Sequence, residues 1–264
     1  MPIRLPRLSA RCPIWPCLAL LALGACTREA APPVEPPGAP RETSTRLLEA
    51  GARVLQDRAP LRGFDMHIVG FHPMKDDPTM QMEAHHYCHQ VNEDFAQCAL
   101  FDGDGMGANL TGVEYIISAR LFADLPADER ALWHPHNGEI LSGQLIAPGI
   151  PEPAERALMR QKINSYGKTW HTWHSRHGTR PGDSMPTGPA LLAWSFNRDG
   201  EVDPALLAER DARLGVDSTQ RRLARDELRS LARPQSGVDA LRTAFPDAVP
   251  IPGVVEAEAD PSTR

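Results

Sequence analysis

The segment Met82-Glu83-Ala84-His85-His86-Tyr87-Cys88-His89-Gln90-Val91-Asn92-Glu93-Asp94-Phe95-Ala96-Gln97-Cys98-Ala99-Leu100-Phe101 decides how this chain folds. Two runs rich in β-formers, 82–91 and 95–101, flank the turn-forming Asn92-Glu93-Asp94, which reads as a β-hairpin. A three-residue loop sets Val91 opposite Phe95 and therefore Cys88 opposite Cys98. Directly opposed residues have Cβ atoms about 4.5–5.5 Å apart. With period 2, His86 shares the face of Cys88, whereas His85, Tyr87 and His89 take the other. Two thiols and an imidazole then form one patch. It has three readings: a Cys88–Cys98 disulfide, a metal site with Cys and His ligands, or two small buried side chains.

The same patterning extends outward from the hairpin. Residues 64–71, 110–118, 138–147, 168–174 and 190–197 read as strands. Residues 44–57, 126–133 and 152–165 read as helices, the second with Pro126 at its first position. After Asp203 the leucines fall into helical spacing amid Arg, Asp and Glu. Strands without strict βαβ alternation imply an α+β fold, a single domain built on a mainly antiparallel sheet flanked by helices. The expected divisions are the sheet body at 42–202, a helical C-terminal extension at 203–233 and a partly disordered tail at 234–264.

The N-terminus speaks to location. Arg4, Arg7 and Arg11 precede the apolar run Ile14 to Leu23, and Leu23-Gly24-Ala25-Cys26 reads as a lipobox. That is a secretory signal, too short to span a bilayer, with Cys26 as the acylated residue after removal of 1–25. Thr27, rather than Asp, follows the cysteine, which points to the periplasmic face of an outer membrane. Residues 26–41 form a proline-rich tether, extended and unable to pack a core. Residues 1–25 carry three Arg and no acid, so their loss takes the formal charge from −6 to −9. An acidic body excludes nucleic acid as a partner. The expected partners are the membrane, through the lipid anchor, and a lipid or another envelope component.

All ten histidines fall between His67 and His177. Neutral imidazole is the commonest metal ligand near neutral pH. His86, His134, His136 and His171 are the candidate ligands to a transition metal such as zinc, with Glu139 or Cys88 as supplements. On an extended strand Glu139 has the wrong parity to join His134 and His136 unless Gly138 introduces a bulge. Carboxylates near the histidines (Glu83, Glu93, Glu114, Glu139) are suited to acid–base work. No nucleophile elbow, phosphate loop, zincin helix or CxxC motif occurs, and Ser195 lacks the flanking glycines of a hydrolase serine.

Several blocks in order carry a family resemblance: Gln81 to Cys88, Asn92 to Phe95 with Gln97-Cys98, Gly112 to Ser118, Leu132 to His136, Ser142-Gly143, Tyr166 to His171, and Met185 to Pro189. Over about residues 50–200 the chain resembles the oil body-associated protein family, also labelled a domain of unknown function. Plant relatives are associated with seed oil bodies and with their size and number. The resemblance implies a domain that sits at a lipid surface and supplies no established catalytic residues. The lipobox, tether and charged tail are departures from the family pattern. Two expectations follow: a membrane-tethered, non-enzymatic binding or structural module, and, as the alternative, a metal-binding protein or metal-dependent enzyme.

Overall fold

A computed structural model describes residues 31–258. The signal segment 1–25 and Cys26 lie outside the described residues. Strands β1 (Met66–Pro73), β2 (Gln81–Asn92), β3 (Phe95–Phe101), β4 (Leu110–Ile117), β5 (His134–Pro135) and β6 (Tyr166–His171) form one curled antiparallel sheet. Their order is β1-β2-β3-β4-β6-β5. Two short strands, β7 (Arg176–His177) and β8 (Arg180–Pro181), pair with each other, and β9 (Leu191–Leu192) adds to β6. A last pair joins β10 (Arg198–Asp199) to β11 (Val249–Pro250). The helices are α1 (Thr43–Leu55), α2 (Ala119–Ala123), α3 (Ala127–Arg130), α4 (Asn137–Leu141), α5 (Glu152–Lys162), α6 (Pro204–Leu214) and α7 (Ser218–Ala224). The fold is α+β and a single domain. Among the described residues no helix is long and apolar enough to cross a membrane.

The hairpin turns on Glu93-Asp94 alone, and Val91 is an extra, bulged residue between the pairs Gln90–Ala96 and Asn92–Phe95. A shorter loop plus one bulge leaves the same parity as a three-residue loop, so Cys88 still faces Cys98. The two sulfurs are joined as a disulfide.

Two strand expectations fail locally. Residues 137–141 form α4 rather than the start of a strand. Gly138 makes that possible, because a Cβ there would lie 2.7 Å from the carbonyl oxygen of Phe196. So short an apolar run cannot distinguish strand from helix by period. Of residues 190–197, only Leu191 and Leu192 pair in a strand, and Ala193 makes a single bridge to Met74.

Residues 234–258 are not a disordered tail. Val238, Ile251 and Val254 are buried with Ile68, Ile140, Leu141 and Met159 in one apolar cluster. Gln235 is buried too: its amide nitrogen donates to Ser165 O at 2.9 Å and its oxygen accepts from Asn137 N at 3.1 Å. The segment 203–233 is helical, yet it is no appendage. Leu206 and Leu228 are fully buried. Arg225 donates to the carbonyls of Ile140 and Leu145 at 3.0 and 2.8 Å, and Arg210 to that of Gln144 at 2.8 Å. Charge-rich composition disguised these parts as surface; buried guanidiniums bound to carbonyls are satisfied polar groups. The tether also meets the body: Asn109 donates to Val34 O at 3.0 Å, and Pro32 to Val34 are half-buried.

Candidate metal centre

One face of the sheet carries Ile68, Gly70 and His72 from β1, His86 and Cys88 from β2, Cys98 from β3, Glu114 from β4, and Gly167, Thr169 and His171 from β6. Strand periodicity puts them there, since paired residues share a face. Short β5 brings His134 against Gly167. His136 then opens α4, and Glu139 follows three residues later on the same side of the helical turn. The helix supplies the change of parity that a strand would have needed a bulge at Gly138 to provide.

Glu114 is the hub of the cluster. Its Oε2 lies 2.8 Å from His86 Nε2 and 3.7 Å from His72 Nε2. Its Oε1 lies 3.2 Å from His136 Nε2 and 3.8 Å from His134 Nε2. Donor atoms of His72, Glu114 and His134 all come within 4.8 Å of one another, as do those of His134, His136 and Glu139. Every one of these residues is buried. Bonds of about 2.0–2.2 Å around one zinc-like ion separate neighbouring ligand atoms by roughly 3–3.5 Å. The separations about Glu114 bracket that range.

The protons can be assigned from outer partners. A carbonyl only accepts, so His86 Nδ1, 3.1 Å from Ala84 O, carries a hydrogen. Ser165 donates its hydroxyl to Lys162 O at 2.7 Å and so accepts from His136 Nδ1 at 2.8 Å. In neutral rings both Nε2 lone pairs then point at the Glu114 carboxylate, which also only accepts. These are the second-shell bonds that orient metal-ligating histidines. His134 has no hydrogen-bond partner on either ring nitrogen. A proton can fill one such gap; a cation with several ligands would fill them together.

The electrostatics agree. Burial holds His134 and His171 down to about 3, and His72 well below the usual range, so all three are neutral at pH 7. Burial would raise Glu114, yet it is held well below the ordinary carboxylate value by the positive charge and hydrogen bonds that the surrounding imidazoles supply when protonated, a role a bound cation would take over. Burial, reinforced by the charge on Glu114, pushes Glu139 well above the ordinary carboxylate value. A bound cation would reverse that and release its proton.

Of the five predicted metal ligands, His86, His134, His136 and Glu139 gather at Glu114. His171 stands one layer out, its Nε2 2.9 Å from His72 Nδ1, and so orients His72. With both sulfurs in the disulfide, Cys88 offers no thiolate. Sequence reading missed His72, and it took Glu114 only as one carboxylate among several. The usable signal was a carboxylate in phase with the inward positions Gly112 and Ile116 of a strand.

Gly167 shows how closely the centre is built. A Cβ there would fall 2.6 Å from His134 Nε2 and closer still to Glu114 Oε1. Gly167→Ala is therefore expected to lower stability by about 1–3 kcal/mol through overpacking and to weaken metal binding at least tenfold. Gly51→Ala, in open space on α1, is the control. Thermal unfolding with and without metal measures both, and parent-like behaviour of Gly167→Ala would refute the packing.

A second polar chain lies on the opposite face. His67 Nε2 meets His85 Nδ1 at 3.0 Å, and His85 Nε2 meets Glu83 Oε1 at 2.9 Å. Arg213 also pairs with Glu83. This chain carries no orphaned inward lone pairs, in contrast with the Glu114 cluster.

Residues 58–229 match the model of a family described as Protein of unknown function (DUF1264). The chain is 38% identical over 211 residues to oil body-associated protein 1A of Zea mays, covering 80% of this chain and 86% of that one. It is 36% identical over 204 residues to oil body-associated protein 2B of Arabidopsis thaliana, covering 76% and 81%. No solved structure matches the chain.

Proposed function

Since the chain belongs to the DUF1264 family, alongside the oil body-associated proteins, we propose that it binds a divalent first-row transition metal at the Glu114 cluster. Imidazole and carboxylate donors together suit that class of ion. The observation that carries this reading is the set of imidazole Nε2 atoms aimed at one buried carboxylate, with His134 unpartnered on both ring nitrogens. Glu114, His72 and His134 form the inner set; His136, His86 and Glu139 complete it. When bound, the ion would supply Lewis acidity and charge. The residues of this chain orient the imidazoles through Ala84, Ser165 and His171, and hold a proton on Glu139 until the ion displaces it. Titration of chelator-treated protein with zinc against a chromophoric competitor tests this. One tight equivalent is expected; no uptake beyond that of unfolded protein would overturn it.

A second reading concerns place. It rests on α1, which follows the tether and turns Leu47, Leu48, Val54 and Leu55 to one side, each between 73% and 85% exposed. An amphipathic helix with an unpartnered apolar face suits the interface of a lipid layer, and acylation of Cys26 would deliver it there. Relatives named as oil body-associated favour the same chemistry of partner. Full-length protein is expected in the detergent phase on detergent partition, and Cys26→Ser in the aqueous phase. Equal partition of the two would refute the anchor.

A further inference from the structure

The Glu114 cluster does not close on itself. Beside it lies a cavity of about 20 Å³, walled on one side by His72, His86, Glu114, His136 and Glu139. The rest of its lining is Ile68, Ile116, Leu145 and Lys162. Roughly 10–15 Å³ suffices for one water, so the space holds a water or a molecule little larger. Ile68, Ile116 and Leu145 offer no ligand atom and the Lys162 ammonium is committed to Gln90, so within this space an ion at the cluster meets no donor beyond the cluster itself. Structural sites are closed by protein ligands, whereas reactive ones keep an open position.

Access to that space has one visible door. The other eight lining residues are buried, and Lys162 alone is half-buried. Lys162 also lines a surface cleft of about 210 Å³ with Glu93, Asp94, Arg120 and Asn164. Ile116 borders both spaces, so the partition between cleft and cavity is the Lys162 stem together with Ile116. The ammonium donates to Gln90 Oε1 at 2.6 Å, which holds the stem across the opening. Gln90 is fixed in turn, because its amide nitrogen donates to the carbonyls of Asn92 and Phe95 in the hairpin.

We propose that the metal at the Glu114 cluster keeps one coordination position for an exogenous ligand of two or three heavy atoms, admitted from this cleft past Lys162. The inference rests on the metal reading above. It assigns the centre to small-molecule chemistry and makes Lys162 its gate and size filter.

Cobalt(II)-loaded full-length protein tests this, with azide as the small probe and imidazole as the large one. Azide should shift the visible d–d bands of the parent, and imidazole should not. Lys162→Ala, which removes the stem, should take up azide at least tenfold faster and respond to imidazole. Lys162→Met keeps the stem and loses the Gln90 bond, so it should speed azide entry without admitting imidazole. Cobalt-loaded parent and Lys162→Ala that both ignore azide would show a closed centre and overturn this inference while leaving the metal reading intact. Equal azide rates in all three proteins would remove Lys162 as the gate. Failure to take up cobalt would overturn both readings.

Discussion

Glu114→Gln is expected to abolish useful metal binding while leaving a folded protein. Glutamine matches glutamate in size, so the packing beside Gly167 is kept. The change removes the one charge that four imidazole Nε2 atoms approach within 4 Å. It also substitutes an amide N–H₂ that donates to the lone pairs a metal would use. Loss of outer-shell partners alone typically weakens metal binding 10–100-fold, and Glu114 sits in the inner set. The dissociation constant should therefore rise by at least about 100-fold, close to 3 kcal/mol. Competition titration of parent and variant reads this directly. Parent-like affinity, within threefold, would mean that Glu114 only braces the sheet. A bracing role would instead lower the melting temperature of both metal-free and metal-loaded protein.

Acidification supplies the second large effect, in metal-free protein. His134 and His171 stay neutral down to about 3, and His72 is lowered in the same direction, chiefly by burial. In the unfolded chain each would titrate near 6.5. Their folded values are depressed, so below about pH 6.5 the unfolded state binds more protons, and stability falls with pH. At pH 5 His134 and His171 each cost about 2 kcal/mol at 1.36 kcal/mol per unit, and His72 acts in the same direction. Glu139 acts with the opposite sign. Its raised folded value means that lowering the pH toward 4.5 relieves a penalty. One carboxylate opposes three histidines, so a net loss between pH 7 and 5 remains, to which His134 and His171 together contribute about 4 kcal/mol. That is a large share of the 5–15 kcal/mol available to a typical domain. Urea midpoints in the presence of a chelator should fall steadily across this range. A flat or rising midpoint would contradict the buried neutral state of these histidines.

How much of this was legible in the sequence depended on whether a pattern was local. The hairpin register was readable, because period 2 and turn chemistry act between neighbours. Even the misjudged loop left Cys88 opposite Cys98, since a bulge at Val91 restored the parity. Gathering His86, His134 and His136 was an expectation from the concentration of histidines in the family-like blocks, and β2, β5 and the start of α4 bring them to Glu114. His72 was not legible. It sits in an apolar strand, and only pairing across β1 and β2 reveals its side. Glu139 was misjudged because four or five residues cannot declare strand or helix, and packing of Gly138 on Phe196 decided the matter. Residues 203–233 looked like a helical appendage and 234–264 like a partly disordered tail because Arg210, Arg225 and Gln235 are polar. Their partners are backbone carbonyls of residues 140–165, distant in sequence and invisible to any windowed pattern.

Those same long-range bonds make the extension part of the site. Gln235 holds Asn137 and Ser165, and Ser165 orients His136. Arg225 pins the carbonyl of Ile140, next to Glu139 in α4, and that of Leu145 just after the helix. The histidine cluster and the C-terminal helices are therefore one construction.

The most direct test of the central claim is elemental analysis of the full-length protein, as purified and after reconstitution with a divalent transition metal. The Glu114 cluster predicts close to one equivalent per chain, lost in Glu114→Gln. Less than about a tenth of an equivalent of any transition metal after reconstitution would contradict it, leaving the imidazoles to share protons with a buried carboxylate.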